Sequence, residues 1–218
     1  MVIVMNDKKR DIKDLTVKEK ERLEKFNENR DRLLKQGYDE KDLTVSIINA
    51  NVIGTLVIVP FISLFLVLFF VNGGSKISFD NFTFGELLLF LILIVLSIVI
   101  HELIHGITYS IFCENHFKDV EYGFIVKDLT PYCTCRAPLK KYQYILAISM
   151  PGIILGIIPS TIAVFTGSVF LIMYGLFMLL GACGDFLIIL LIFKNKSKKK
   201  DVLYHDHPTE CGVVMFER

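Results

Sequence analysis

The chain has 218 residues, of which 53% are hydrophobic and 22% are charged, and its mean hydropathy is +0.52. This composition excludes a disordered chain and disfavours an ordinary soluble domain. The formal net charge of +1 provides no strongly basic surface for a phosphate backbone, so we expect no nucleic-acid partner.

A charged segment, residues 1–49, precedes the first apolar run. Thr16 and Glu19 have the spacing of a helix capping box, and Gly37 suits the end of the same helix. Between them a narrow apolar stripe is formed by Leu23, Phe26, Leu33 and Leu34. We predict a cytoplasmic helical segment that lies against the inner membrane surface or the second loop, or stays solvated.

Four long apolar runs follow, each long enough for an α-helix to cross a hydrocarbon core of about 30 Å. They are called spans one to four and cover residues 52–71, 84–113, 143–165 and 169–193. Four such runs leave too little polar chain to cover them in a soluble protein. The sequence therefore predicts an all-α membrane protein, with a four-span domain at 50–193 and a cytoplasmic tail at 194–218.

The flanks of the spans differ in their content of Lys and Arg. The segment before span one, the second loop and the tail contain Arg30, Arg32, Lys35, Lys41, Lys118, Lys127, Arg136, Lys140, Lys141, Lys194, Lys196, Lys198, Lys199 and Lys200. The other set of flanks contains only Lys76. Because basic flanks remain in the cytoplasm, we predict that both termini are cytoplasmic.

The residue pattern of the second loop predicts a small β-hairpin directly after span two. Its strands would be 120–126 and 129–132. This hairpin would either offer a strand edge to an unwound substrate or only cover the cytoplasmic mouth. Cys133 and Cys135 lie in the same loop, and the five cysteines of the chain lack the spacing of a disulfide framework, so we expect free thiols.

Span two carries the ionisable cluster His101, Glu102 and His105, an H-E-x-x-H pattern. On a helix, two histidines four residues apart lie on one face and can reach a single zinc ion. Glu102 lies on the flank of that face, where it can accept a proton from a zinc-bound water. Ionisable residues at membrane depth usually indicate function. The pattern predicts a zinc site with Glu102 as catalytic base.

A catalytic zinc needs a third protein ligand. Glu114, His116 and Glu121 follow in the second loop, but the end of the helix separates them from the two histidines. We favour Asp185 in span four, because it lies at about the same depth as His101. We also expect the small residues Gly181 and Gly184 to let the two helices approach closely.

These residues resemble the site-2 protease class of intramembrane zinc metalloproteases, which carries H-E-x-x-H on one core helix and a zinc-binding aspartate on another. The chain is more closely similar to a family of bacterial membrane proteins described as zincin peptidases. That likeness rests on the segments 101–106, 131–139, 150–152, 184–185 and 206–208. Phe186 follows Asp185 where the site-2 class has glycine.

The resemblance implies that His101, His105 and Asp185 bind Zn²⁺ and that Glu102 is the catalytic base. It implies an intramembrane zinc metallopeptidase of the bacterial cytoplasmic membrane. This enzyme would hydrolyse a peptide bond of a membrane-associated substrate near the cytoplasmic face. The alternative is a metal-binding membrane protein or transporter that uses the same cluster without peptidase activity. His205 and His207 in the tail could cap the site, or the tail could be solvated or folded onto the hairpin.

Overall fold

The computed structural model describes residues 15–72, 83–125 and 130–218. Seven α-helices lie within these ranges: α1 Val17–Lys35, α2 Ile47–Val71, α3 Phe84–Phe112, α4 Lys141–Pro151, α5 Ile158–Thr166, α6 Val169–Gly181 and α7 Cys183–Lys194. A π-helical segment, Gly152–Ile157, joins α4 to α5, and a 3₁₀ turn at His116–Asp119 follows α3. Lys76 and Lys127, together with residues 1–14, lie outside the described residues.

Among the described residues, three helical stretches are long and apolar enough to cross a membrane: Ile48–Val71, Phe84–Phe112 and Lys141–Thr166. The pair α6 and α7 qualifies as a fourth crossing if it counts as one span, although it is bent by 51°. The chain is thus mostly helical and compatible with a multi-pass membrane protein. The bend falls within residues 169–193, which were predicted as span four.

The face of α3 opposite the histidines supports this interpretation. Every fourth side chain along it is apolar and largely exposed: Leu91, Val95, Val99, Leu103, Ile107 and Ile111. An exposed apolar stripe of this length is unfavourable in water but matches lipid chains. The inward face of the same helix is polar, with Ser97 bonded to the hydroxyl of Tyr174 at 2.7 Å between oxygens. Span two therefore separates a lipid-type face from a polar interior.

Two antiparallel sheets lie at the polar ends of the helices. The predicted hairpin is present as β2 Val120–Ile125 and β3 Thr130–Cys135, with its connection, residues 126–129, outside the described residues. The second sheet has the order β1-β6-β5-β4. Its strands are β1 Asp39–Val45, β4 Leu139–Lys140, β5 Val202–Asp206 and β6 Cys211–Glu217.

The second sheet corrects the predicted fold class, in which the hairpin was the one β element. Strand β6 pairs with β1 along its whole length, from Asp39 opposite Glu217 to Val45 opposite Cys211. The tail is therefore not solvated: it forms a sheet with β1, and Asp206 at the end of β5 also contacts the hairpin at Cys135. Helix α1 packs on this sheet through a core cluster formed by Phe26, Leu33, Tyr38, Val214 and Phe216.

Small residues let the helices approach closely at several places, three of which lie around the bend between α6 and α7. A Cβ atom at Gly152 would lie 3.0 Å from Phe186, one at Gly156 would lie 2.8 Å from Leu179, and one at Gly54 would lie 2.7 Å from the Cys183 carbonyl oxygen. The expectation for Gly181 and Gly184 is wrong, because a Cβ at either position would meet nothing within 4 Å. Close packing around the bend thus depends on glycines outside span four.

Candidate metal centre

The structure brings His101, His105 and Asp185 together at one point. The two Nε2 atoms are 3.1 Å apart. His101 Nε2 lies 3.2 Å from Asp185 Oδ2, and His105 Nε2 lies 3.4 Å from Asp185 Oδ1. Among the described residues, these three form a group whose ligand atoms all lie within 4.8 Å of one another.

The helix geometry explains this convergence. His101 and His105 are one turn apart on the inward face of α3, so both side chains project from the same side of the helix. Asp185 lies in the first turn of α7, directly after the bend at Ala182. A carboxylate in the first turn of a helix is stabilised by the unpaired N–H groups there. The bend therefore gives Asp185 a favourable electrostatic position as well as its direction.

The ring orientation of His105 is fixed by span three. His105 Nδ1 lies 3.0 Å from the carbonyl oxygen of Ala147. A carbonyl can only accept, so Nδ1 carries the proton in this contact, and the Nε2 atom of the neutral ring has a free lone pair. The lone pair faces His101 and Asp185. A backbone carbonyl commonly orients metal-binding histidines in this way.

The three side chains fit a zinc ion. With zinc–ligand bonds of 2.0–2.1 Å, neighbouring ligand atoms of a tetrahedral site are about 3.3 Å apart, close to the distances found here. Asp185 Oδ2 is buried and receives no hydrogen bond from the described residues, although His101 Nε2 is near. The donor set of two nitrogens and one oxygen is also that of catalytic zinc sites.

Glu102 lies beside this group and is not one of its three members. Its side chain is on the flank of α3 and faces the backbone of Cys133 in β3. The hairpin is held against the helix here, because Gly106 lies directly under the hydroxyl of Tyr122: a Cβ at Gly106 would be 1.8 Å from that oxygen. The carboxylate of Glu102 is therefore enclosed between the helix and the hairpin.

A cavity of about 580 Å³ opens beside the three residues, and His105 and Asp185 line it. The hairpin contributes Tyr132, Cys133 and Thr134, and α1 contributes Arg22. The tail contributes the segment from Asp206 to Gly212. Two polar atoms of this lining, Thr134 Oγ1 and Glu210 Oε1, are buried and have no hydrogen-bond partner among the described residues.

Asp206 connects the tail to the hairpin and to span three. Its carboxylate accepts a hydrogen bond from the Cys135 backbone N–H at 2.8 Å and another from the hydroxyl of Tyr144. Burial raises the pKa of this carboxyl, and the two hydrogen bonds act in the opposite direction. No local sequence pattern marks Asp206 as a site residue, because its position depends on pairing of β5 with β4 and β6.

Arg22 holds the N-terminal helix over the cavity. This buried guanidinium donates a hydrogen bond from Nε to the Pro208 carbonyl oxygen at 2.7 Å. It lies 4.7 Å from the Tyr132 ring centre and 4.0 Å from a Glu121 oxygen. One side chain of α1 thus contacts both the tail and the hairpin.

We expect Arg22→Met to destabilise this cytoplasmic-end assembly by about 2–3 kcal/mol, because the substitution leaves the Pro208 carbonyl unpaired and removes a buried cation. The measurement is the rate of limited proteolysis after α1, together with the thermal unfolding midpoint. Arg32→Met on the exposed face of the same helix is the matched control, since its guanidinium is exposed and bonds Asn29 one turn away. Equal behaviour of the two variants would contradict the role given to Arg22.

The other candidate ligands lie elsewhere. Glu121 forms an ion pair with Arg136 at 2.8 Å, His116 Nδ1 bonds the Ser110 carbonyl oxygen at 3.0 Å, and Glu114 is exposed. His205 is buried against Phe26, whereas His207 lines the cavity. Cys135 Sγ lies 2.8 Å from Cys113 Sγ, and the cysteines within the described residues are free thiols.

The comparisons with known proteins bear on this region directly. Residues 93–199 match a family model described as "Putative zincin peptidase". Neither the search of curated proteins nor the search of solved structures finds a match. The matched range contains the two histidines, Glu102 and Asp185. Over residues 93–199, the chain is therefore similar to this zincin peptidase family.

Proposed function

We propose that the protein is an intramembrane zinc metallopeptidase in which His101, His105 and Asp185 hold the metal and Glu102 is the catalytic base. The observation that carries this proposal is the convergence of three candidate ligand side chains, with N···N and N···O distances of 3.1–3.4 Å, beside an enclosed carboxylate. The match of residues 93–199 to a zincin peptidase family model supports the same reaction class.

Each residue has a defined task in this mechanism. His101, His105 and Asp185 would hold the zinc, which would supply Lewis-acid chemistry for the scissile carbonyl and the attacking water. Glu102 accepts the proton of the attacking water on its carboxylate and then delivers it to the leaving amine. Ala147 keeps His105 in the tautomer that leaves Nε2 free. The hairpin limits access of bulk water to Glu102, which strengthens these electrostatic interactions.

The substrate in this proposal is a membrane-associated polypeptide cut near the cytoplasmic face. The basic flanks described above support an orientation with both termini in the cytoplasm of a bacterium. A transmembrane helix must unwind before hydrolysis, and its freed backbone groups then need partners. Residues 132–134 of β3 line the cavity and offer a strand for such pairing.

The test of this proposal is Glu102→Gln in the full-length protein. We expect zinc content to stay at the wild-type level while hydrolysis falls by at least about 100-fold, because the amide cannot accept the proton of the water. Zinc is measured in purified protein by elemental mass spectrometry. Hydrolysis is measured by quantitative proteomics of peptide fragments in membranes that contain either protein.

Glu114→Gln makes the same chemical change at an exposed position just after α3 and is the matched control. We expect it to cleave as the wild type does. Fragments that persist unchanged with Glu102→Gln would contradict the peptidase mechanism. Zinc binding without any wild-type cleavage product would instead favour the metal-binding or transporter alternative.

A further inference from the structure

A second cavity, of about 570 Å³, lies away from the metal centre, where α4 begins and α7 ends. Five lysines line it, two from the β4–α4 junction and three from the segment after α7: Lys140, Lys141, Lys196, Lys199 and Lys200. Segments far apart in the sequence thus bring basic side chains to one place. This set is called the lysine cavity below.

The positive charge of the lysine cavity is only partly balanced. Lys199 forms an ion pair with Asp39. Asp201, the acidic residue of the lining, interacts with Arg218 at 3.2 Å and with the hydroxyl of Tyr38. Within the described ranges, the other four lysines form no ion pair, although Lys141 lies 4.9 Å from the ring centre of Phe193. Converging cations of this kind favour binding of an anion between them.

An apolar groove continues from the lysine cavity along the outer face of α4. It has a volume of about 490 Å³ and is lined by Lys141, Tyr142, Ile145, Leu146 and Ser149. Lys141 and Tyr142 belong to both cavities. Tyr142 is 64% exposed at the boundary between them, a position typical of aromatic residues at the membrane interface.

We propose that the lysine cavity and this groove together bind one anionic phospholipid. The phosphate lies among the lysines, and an acyl chain follows Ile145 and Leu146 along α4. Charge complementarity selects an anionic headgroup, and the apolar groove distinguishes a lipid from a free phosphate ion. This inference goes beyond the proposed peptidase reaction and requires only that the N-terminal end of α4 lies at a membrane surface.

The bound lipid also joins two helices that contribute to the metal centre, whose histidines lie on α3. Helix α4 provides the Ala147 carbonyl for His105, and α7 provides Asp185. The lysine cavity connects the start of α4 with the segment that follows α7. Occupancy by a lipid therefore stabilises the spacing of these helix ends.

The experiment measures lipid binding to the full-length chain in detergent micelles by native mass spectrometry. The probes are dioleoyl-phosphatidylglycerol and dioleoyl-phosphatidylcholine. We expect selective retention of phosphatidylglycerol, and we expect Lys196→Gln/Lys200→Gln to weaken its binding by at least about 10-fold. Lys140→Gln changes the opposite side of the cavity and should weaken binding in the same direction.

Lys18→Gln/Lys20→Gln on the exposed face of α1 is the matched control and should bind as the wild type does. A second arm adds glycerol 3-phosphate, which should not displace the lipid at equal concentration. Equal retention of the two lipids, or unchanged binding by all cavity variants, would overturn the proposal. Displacement by glycerol phosphate would assign the site to a free phosphate and would also overturn it.

Discussion

Asp185→Ala should reduce the zinc affinity of the protein by at least about 100-fold. Mutation of a group that only orients a zinc ligand lowers the zinc affinity by about 10- to 100-fold. Asp185 supplies a ligand atom itself in the proposed site, so its loss should cost at least as much affinity. The variant leaves two imidazoles, which are too few for a stable site at low zinc concentration. Zinc content after dialysis against a weak chelator, measured by elemental mass spectrometry, checks this expectation.

Asp31→Ala removes an exposed carboxylate from α1 and is the control for general effects of charge. We also expect Asp185→Asn to retain more zinc than Asp185→Ala, because the amide oxygen remains a weak ligand. Full zinc occupancy in Asp185→Ala would show that another residue completes the site. Glu121 is then the first to test, since it was the loop alternative and is buried.

The sequence could predict the two histidines and Glu102 as one cluster because a local helical period determines their relative positions. It could also predict that Asp185 lies near His101, because both residues follow the start of an apolar helix by similar lengths. The structural feature that brings Asp185 to the histidines differs from the one that we expected. A bend at Ala182, rather than close packing at Gly181 and Gly184, directs Asp185 to the histidines.

The tail could not be predicted in the same way. Strand β6 pairs with β1 across more than 165 residues of chain, and such non-local pairing leaves no local pattern in either segment. In β1, four of seven residues are charged and exposed, so its composition resembles that of a loop. Asp206 lies on β5 of the same sheet, and Arg22 bonds Pro208 between β5 and β6. Both positions depend on this sheet and therefore required the structure.

The bend that positions Asp185 depends on α2, and Gly54→Ala tests this dependence. An added Cβ would lie 2.7 Å from the carbonyl oxygen of Cys183 and 3.0 Å from its carbonyl carbon. Both are backbone atoms, which cannot move away as a flexible side chain can. Either α2 or the start of α7 must shift, at a cost of about 1–3 kcal/mol.

Because Asp185 is two residues beyond Cys183, this shift should lower zinc affinity by about 10-fold and reduce the thermal unfolding midpoint. Gly184→Ala is the matched control. It adds a Cβ next to Asp185 itself, yet that atom would meet nothing within 4 Å. Alanine also favours a helix over glycine by about 1 kcal/mol, so Gly184→Ala should retain zinc and be at least as stable as the wild type. The opposite ranking of the two variants would show that contact with α2 does not set the position of Asp185.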